Sequence, residues 1–156
     1  MAELIDIKVN GKTLRVEADS DMPLLYLLRN NLGLNGPKYG CGIERCGSCM
    51  VLLNGKAQPS CVIPGSAAAA YEVTTLEGLI QNDSLDPIQN AFIEEQAAQC
   101  GYCMNGMIMS AKSLLEENIN PTNQEIRQAL QRVLCRCGTH TRIIAAVKKA
   151  AAKMKK

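Results

Sequence analysis

Eight cysteines are the residues of this 156-residue chain whose type and spacing could do chemistry. The first four begin with the spacing C-x4-C-x2-C and are Cys41, Cys46, Cys49 and Cys61. The other four combine a C-x2-C pair with a distant C-x-C pair and are Cys100, Cys103, Cys135 and Cys137. Cysteines this close together bind metal ions or iron–sulfur clusters, because one loop can supply two thiolate ligands. Each group of four therefore predicts a metal centre.

The first group has the spacing of plant-type ferredoxins, in which four thiolates hold one [2Fe–2S] cluster. Glycines are frequent around its first three cysteines: Gly33, Gly36, Gly40, Gly42 and Gly47. Glycine adopts positive φ angles and allows close backbone approach, which a loop needs if its N–H groups are to face an anionic cluster. Gly101 and Gly138 stand beside cysteines of the second group, and we expect the same role for them.

Disulfides and zinc are the alternative uses of these cysteines. The N-terminal segment MAELIDIKVNGK lacks the basic and apolar regions of a signal peptide. We therefore expect synthesis in a reducing compartment, where structural disulfides are disfavoured. Zinc sites also use C-x2-C pairs, but the Cys41–Cys46 and Cys135–Cys137 spacings are less typical of them. The pattern favours two iron–sulfur clusters and leaves zinc open for one site, but not for both.

No group of residues has the pattern of a catalytic site. His140 is the single histidine and lies between two threonines, which indicates a helix start rather than a general base. The adjacent carboxylates at 94–95 and 116–117 are most simply solvated helix faces. We therefore predict no catalytic residue in this chain, and an electron carrier for a reaction catalysed elsewhere.

The first half of the sequence predicts a small α+β domain. Alternating or apolar runs indicate strands at residues 4–9, 13–18, 50–53 and 71–75, with a further strand leading to Cys61. Asn10-Gly11 and Asn54-Gly55 predict tight hairpin turns. A short leucine-rich helix is expected to begin at Pro23.

The second half predicts helices only. Helical periodicity covers residues 88–99, 105–117, 123–134 and 140–153. Thr122-x-x-Glu125 has the pattern of a capping box at the start of the third helix. Four helices of this length with short loops favour a compact bundle. The two parts are expected to join around residues 76–87.

Charge and hydropathy limit the classes of partner that the chain can have. The formal net charge is +2, and the C-terminal segment is basic, with Lys148, Lys149, Lys153, Lys155 and Lys156. Because no aromatic platform or recognition motif accompanies these lysines, we expect a solvated helix end and no nucleic acid partner. No apolar run approaches the roughly 20 residues that span a bilayer. A soluble protein without a membrane span is therefore predicted.

Three stretches of the chain resemble a known family. They are KYGCGIERCGSCMVLLNGKAQPSC at 38–61, QCGYCMNGMIMSAKSLL at 99–115 and LCRCGTHTRIIAAVKKAA at 134–151. They resemble the small iron–sulfur subunit of molybdenum hydroxylases of the xanthine oxidase and aldehyde oxidase family, in particular its isoquinoline, nicotinate and aldehyde dehydrogenase group. The resemblance implies an α+β fold, with a plant-type ferredoxin-like (β-grasp) domain over residues 1–76. An all-α four-helix domain over residues 77–156 would follow.

The resemblance also implies a function. A separate large subunit would carry molybdopterin cytosine dinucleotide and hydroxylate an aldehyde or an N-heteroaromatic compound. Electrons would pass from the molybdenum–pterin site to the cluster of the second cysteine group, and then to the ferredoxin-type cluster. Gln99 and Cys137 would lie beside the pterin. By the same resemblance, the final acceptor would be an FAD subunit or a c-type cytochrome. This chain has neither a flavin fingerprint nor a C-x-x-C-H haem motif, so the acceptor would lie on another polypeptide.

The compartment and two other functions stay open at this point. The resemblance implies assembly in the cytoplasm, and some complexes of this kind reach the periplasm already folded, with the export signal on a partner. A free-standing ferredoxin and a zinc-stapled interaction module are the alternative functions. Metal analysis and co-purification with a molybdenum protein would separate them from an electron-transfer subunit.

Overall fold

The computed structural model describes residues 2–155, so Met1 at the N-terminus and Lys156 of the basic C-terminal segment lie outside the described residues. The first half forms one mixed sheet. Its strands are Ala2–Val9 (β1), Lys12–Asp19 (β2), Met50–Leu53 (β3), Lys56–Pro59 (β4) and Glu72–Thr74 (β5). Their order is β2-β1-β5-β3-β4, with β1 parallel to β5 and the other neighbours antiparallel.

Both predicted hairpin turns are confirmed. Asn10 and Gly11 have φ angles of 52° and 75°, and Asn54 and Gly55 have 48° and 80°. Two successive positive φ angles are those of a type I′ turn, whose twist matches the flanking strands. The turns set the register, because the residues on either side of each turn pair directly.

Helices surround the sheet and make up the second half. They are Leu24–Tyr26 (α1, continued by a π-helical turn over Leu27–Asn31), Gly65–Ala68 (α2), Pro87–Glu94 (α3), Met104–Glu117 (α4), Asn123–Leu130 (α5) and His140–Met154 (α6). A 3₁₀ turn at Glu77–Leu79 connects the two halves. The helix start after Pro23 is as predicted, whereas α2 and the 3₁₀ turn were not anticipated. Within residues 2–155, no helix is both long and apolar enough to cross a membrane.

The first helix of the second half is shorter than the predicted 88–99. It ends at Glu94 because Gln96 adopts a φ of 48° and the Ala97 N–H bonds back to the Phe92 carbonyl at 3.0 Å. This turn buries Ala97 completely. No glycine marks the position, so the sequence carries no signal for this end.

The third helix of the second half also ends early, at Leu130 instead of residue 134. The Leu134 N–H does not bond within a helix and instead donates to the Cys46 carbonyl at 2.9 Å. A tertiary hydrogen bond therefore replaces the last helical turn. The predicted capping box at the start of this helix is confirmed: the Glu125 N–H donates to the Thr122 hydroxyl, and the Thr122 N–H donates to Glu125.

Strand β3 lies between two hydrophobic cores. Val51 and Leu53 belong to the core of the sheet domain, with side chains of β1 and the turns after α1. Met50 and Leu52 belong to the core of the helices, where Met107 of α4 is fully buried. Side chains alternate across a strand, so one strand contributes to both cores. The two halves are thus packed against each other along β3.

One ion pair allows a test of how the helical half is held together. Asp86 accepts the Ile88 N–H at the start of α3 and pairs with Lys112 of α4 at 2.8 Å, with both side chains largely buried. Asp86→Ala should lower the free energy of unfolding by about 2 kcal/mol, because it removes a helix cap and leaves Lys112 with only its longer pair to Glu116, at 3.6 Å. Thr122→Ala is the matched control, since it removes an exposed cap alone and should cost only about 1 kcal/mol. Equal losses in urea titrations of the two variants would contradict a role for the Lys112 pair.

Candidate metal centres

The first cysteine group is brought together by the loop before β3 and the turn after β4. Its four thiols form two pairs. The Cys41 and Cys46 sulfurs each accept the N–H of the other residue, at 3.3 and 3.4 Å. The side chains of Cys49 and Cys61 are in contact and are buried, with 1% and 8% of their surface exposed.

Backbone N–H groups converge on the Cys41 sulfur. Ile43, Arg45 and Cys46 donate to it at 3.4, 3.2 and 3.3 Å. Desolvation opposes ionisation, but these donors outweigh it and lower the pKa of the Cys41 thiol to about 7. The loop is thus arranged to stabilise negative charge on sulfur, as a thiolate ligand requires.

The glycines of this loop serve two purposes. Gly42 and Gly47 have φ angles of 70° and 69°, as the sequence predicted for a loop that turns its N–H groups inward. Gly33, with a φ of 68°, instead follows the π-helical turn, where the Leu34 N–H bonds back to the Leu28 carbonyl at 2.9 Å. The φ angles of Gly36 and Gly40 are not positive, and these residues are needed for close packing. A Cβ at Gly40 would lie 2.6 Å from the Cys46 sulfur. In the second group, Gly101 and Gly138 also have the expected positive φ angles.

The second cysteine group lies at the start of α4 and in the loop between α5 and α6. Its thiols also form two pairs. The Cys100 and Cys137 sulfurs are 3.4 Å apart, and the Cys103 and Cys135 thiols are in hydrogen-bond contact. Cys103 is buried and Cys100 is exposed. The structure therefore brings together all four predicted residues, and their exposure ranges from the buried Cys103, through the partly exposed Cys135 and Cys137, to the exposed Cys100.

Burial and hydrogen bonding shift the pKa values of the thiols in opposite directions in both groups. Burial raises the pKa of Cys49 to about 11 and that of Cys103 to about 12. At Cys135 desolvation is outweighed by the Thr139 N–H and hydroxyl, the latter 3.7 Å away, so its pKa falls to about 7. Thr139 precedes α6, which begins at His140 as predicted, and sequence reasoning missed its contact with sulfur.

The paired arrangement can be tested against the two candidate metals. Among residues 2–155, no three His, Cys, Asp or Glu side chains converge in the way that a single metal ion requires. A [2Fe–2S] cluster takes two thiolates at each of two irons, so it needs two pairs of cysteines. Both groups supply such pairs. The donor set therefore fits a binuclear iron–sulfur cluster better than one zinc ion.

Gln99, the other predicted site residue, lies at the open side of the second group. It is exposed and precedes Cys100 in the chain. Cys137, whose sulfur touches that of Cys100, is partly exposed. These three residues form one accessible edge, where a second protein or cofactor can reach the cysteines. Sequence reasoning missed the buried Asn105, two residues after Cys103, because its hydrogen-bond partners are distant in the chain.

Comparison with known protein families finds a match for each half of the chain. The family model described as "2Fe-2S iron-sulfur cluster binding domain" matches residues 7–76. A second family model, described as "[2Fe-2S] binding domain", matches residues 75–148. Together they cover all eight cysteines.

Similar proteins match over almost the whole chain. A nicotinate dehydrogenase subunit of Pseudomonas putida is 55% identical over 97% of this chain and 96% of its own length. The alpha subunit of isoquinoline 1-oxidoreductase from Brevundimonas diminuta is 45% identical over 95% and 97%. The crystal structure of quinoline 2-oxidoreductase from Pseudomonas putida 86 contains a chain that superposes with a TM-score of 0.94 at 35% identity, covering 99% of this chain and 96% of that one. The chain therefore belongs to the small iron–sulfur subunits of molybdenum hydroxylases, the electron-transfer components of these oxidoreductases.

Proposed function

We propose that the two cysteine groups hold two [2Fe–2S] clusters, one in a ferredoxin-like domain over residues 1–76 and one in a four-helix domain over residues 77–156. Cys41, Cys46, Cys49 and Cys61 are the ligands of the first cluster, and Cys100, Cys103, Cys135 and Cys137 those of the second. When bound, such clusters accept and release single electrons. The chain supplies the paired thiolates, the N–H donors that favour their charged form, and the burial of Cys49 and Cys103.

The partner is a large subunit that carries molybdopterin cytosine dinucleotide, with Gln99 and Cys137 beside the pterin. The names of the similar proteins, a nicotinate dehydrogenase and an isoquinoline oxidoreductase, support an N-heteroaromatic substrate on that subunit, and an aldehyde is the alternative. Electrons run from the molybdenum–pterin site to the helical-domain cluster, then to the ferredoxin-type cluster. They leave to an FAD subunit or a c-type cytochrome. Assembly takes place in the cytoplasm, where thiols stay reduced.

The observation that carries this proposal is the hydrogen bond from the Leu134 N–H to the Cys46 carbonyl, 2.9 Å long. Cys46 is a ligand of one cluster, and Leu134 is bonded to Cys135, a ligand of the other. The backbone thus connects the two sites through a few covalent bonds and one hydrogen bond. Electron tunnelling falls steeply with distance, so this short connection supports two clusters acting in series.

The exposure of the two sites supports a route that has one entry and one exit. Cys100 is exposed beside Gln99, so the helical-domain site is open to a partner that delivers electrons. The ferredoxin-type loop presents Ile43, with 62% of its surface exposed, at a second place next to Cys41. Each site therefore has an exposed residue at which a partner can make contact.

The test is to purify the chain together with its bound partner proteins and to analyse the sample for metals and by EPR spectroscopy. We expect about four iron atoms per chain, two distinct [2Fe–2S] EPR signals after reduction with dithionite, and a much larger molybdenum-containing protein in the same fractions. Stoichiometric zinc in place of iron, with no such signals, would contradict the cluster assignment. Two clusters without a molybdenum protein would instead indicate a free-standing ferredoxin.

A further inference from the structure

Asn105 is a buried amide that connects the two candidate cluster sites. It lies in the first turn of α4, two residues after Cys103, and only 1% of its surface is exposed. Its Nδ2 donates to the Ser48 carbonyl at 3.0 Å and to the Met50 carbonyl at 2.8 Å. These two carbonyls flank Cys49, so one side chain joins the surroundings of a buried cysteine in each site.

The acceptors of Asn105 lie on an incomplete edge of the sheet. Strand β5 pairs with β3 only at Leu52 and Leu53. The Ser48 and Met50 carbonyls lie beyond these pairs, toward the cluster loop, and the Ser48 carbonyl also accepts the Lys38 N–H at 3.0 Å. The Asn105 amide therefore supplies the N–H donors that the backbone of a neighbouring strand would otherwise provide to this edge of β3.

The orientation of this amide is fixed. Both N–H groups are directed at carbonyls, so exchanging Oδ1 and Nδ2 would place an acceptor against two acceptors. In its observed orientation Oδ1 is buried and accepts no hydrogen bond from the described residues. A buried acceptor without a donor destabilises a fold, and an apolar residue of the same size would remove that cost. The presence of an amide at this position is thus explained by the two hydrogen bonds that it donates, not by packing.

We infer that Asn105 is a positioning residue that helps to set the distance between the two clusters. The inference rests on the proposed function. It assigns a role in electron transfer to a residue that is not a ligand of either cluster. Ser48 and Met50 carry Cys49 between them, and α4 carries Cys103 at its start. Because Asn105 joins these two segments, its loss lets the ferredoxin-type loop shift relative to the helical site. Transfer between the clusters then slows, while each cluster keeps all four of its ligands.

The experiment compares Asn105→Leu with Ser113→Ala in the full chain, purified with its partner. Leucine has the same number of side-chain heavy atoms and the same branching as asparagine, and it removes both hydrogen bonds. Ser113 is the matched control because it is also buried in α4, with 8% of its surface exposed, and accepts the Ala57 N–H across the same interface at 3.1 Å, away from the cysteines. Iron content and the spin–spin splitting between the two reduced clusters are measured by EPR. Freeze-quench EPR follows reduction by substrate.

We expect Asn105→Leu to keep its iron, to change the spin–spin splitting and to slow reduction of the ferredoxin-type cluster several-fold, because electron tunnelling falls steeply with distance. Ser113→Ala should match the wild type in both measurements. Unchanged splitting and unchanged transfer in an iron-loaded Asn105→Leu protein would overturn the inference, as would equal changes in the two variants.

If Asn105→Leu fails to retain iron, Asn105→Ser decides the question, because its single O–H can donate to at most one of the two carbonyls and at least one hydrogen bond is lost. An iron-loaded serine variant with altered splitting supports the inference, and one with wild-type splitting overturns it. Failure of the proposed function looks different. In that case the wild-type protein itself lacks two [2Fe–2S] signals, whatever residue stands at 105.

Discussion

Replacing Cys137 with serine is expected to stop reduction of the ferredoxin-type cluster by substrate. Cys137 belongs to the accessible pair of the helical-domain site, with its sulfur 3.4 Å from that of Cys100. A serine hydroxyl is a poor substitute for a thiolate ligand, so the helical-domain EPR signal should disappear or shift. Mutation of a residue that hydrogen-bonds to a metal ligand already lowers metal affinity or activity about 10–100-fold. Loss of the ligand itself should therefore slow substrate-driven reduction by more than about 100-fold. Stopped-flow absorbance after substrate addition measures the rate.

Cys41→Ser is the matched control for this experiment. It should remove only the ferredoxin-type signal, while substrate still reduces the helical-domain cluster at the normal rate. Dithionite should reduce the remaining cluster in each variant, which separates an interrupted route from an unfolded chain. If substrate reduced the Cys41 cluster normally in the Cys137→Ser protein, the proposed order of the two clusters would be wrong.

The parts of this protein that sequence alone could predict are those set by local chemistry. Cysteine spacing indicated both groups, and all four members of each come together in the structure. The Asn-Gly turns adopted the predicted positive φ angles because few other residue pairs tolerate them. The N-cap at Thr122 formed as expected, since its partner Glu125 lies only three residues away.

The parts that sequence could not predict depend on contacts between distant segments. The helix expected to reach residue 134 ends at Leu130, because the Leu134 N–H bonds to Cys46 in the other half of the chain. Likewise, Asn105 follows Cys103 without any motif, and its acceptors precede it by 55 and 57 residues. Local propensity carries no information about such partners. Both contacts lie between the two metal centres, so prediction failed where the two halves meet.

Strand β3 shows why the predicted strands and helices did not yield the way in which the two halves pack together. Its sequence, MVLL, has no polar position, and a strand with four consecutive buried residues must have both faces covered. The pattern indicates that a second layer exists but not which segment provides it. In the structure α4 covers the Met50 and Leu52 face. Because β3 begins immediately after Cys49, this packing also brings the start of α4, with Cys103, close to the first site.

Gly47 lies where the two cluster loops touch, and Gly47→Val is expected to have a large effect on stability. Its φ is 69°, a region that β-branched residues avoid. A Cβ there would clash with the Arg132 carbonyl and lie 2.9 Å from Val133, on the loop that carries Cys135. Strain and overpacking each cost about 1–3 kcal/mol, so we expect the free energy of unfolding to fall by about 4 kcal/mol. Urea unfolding measures the loss, and EPR should show a perturbed ferredoxin-type signal.

Gly33→Val separates the two causes, because Gly33 has nearly the same φ, 68°, and nothing lies within 4 Å of its Cβ position. It should cost about 2 kcal/mol of backbone strain and leave both cluster signals unchanged. Gly106→Ala tests the contact from the other side, since a Cβ at Gly106 would meet the Gly47 carbonyl without requiring a positive φ. If strain alone mattered, Gly106→Ala would be harmless and the Gly33 and Gly47 variants would be equal. If the contact between the loops matters, Gly106→Ala must disturb the ferredoxin-type cluster although it changes a residue of the helical half.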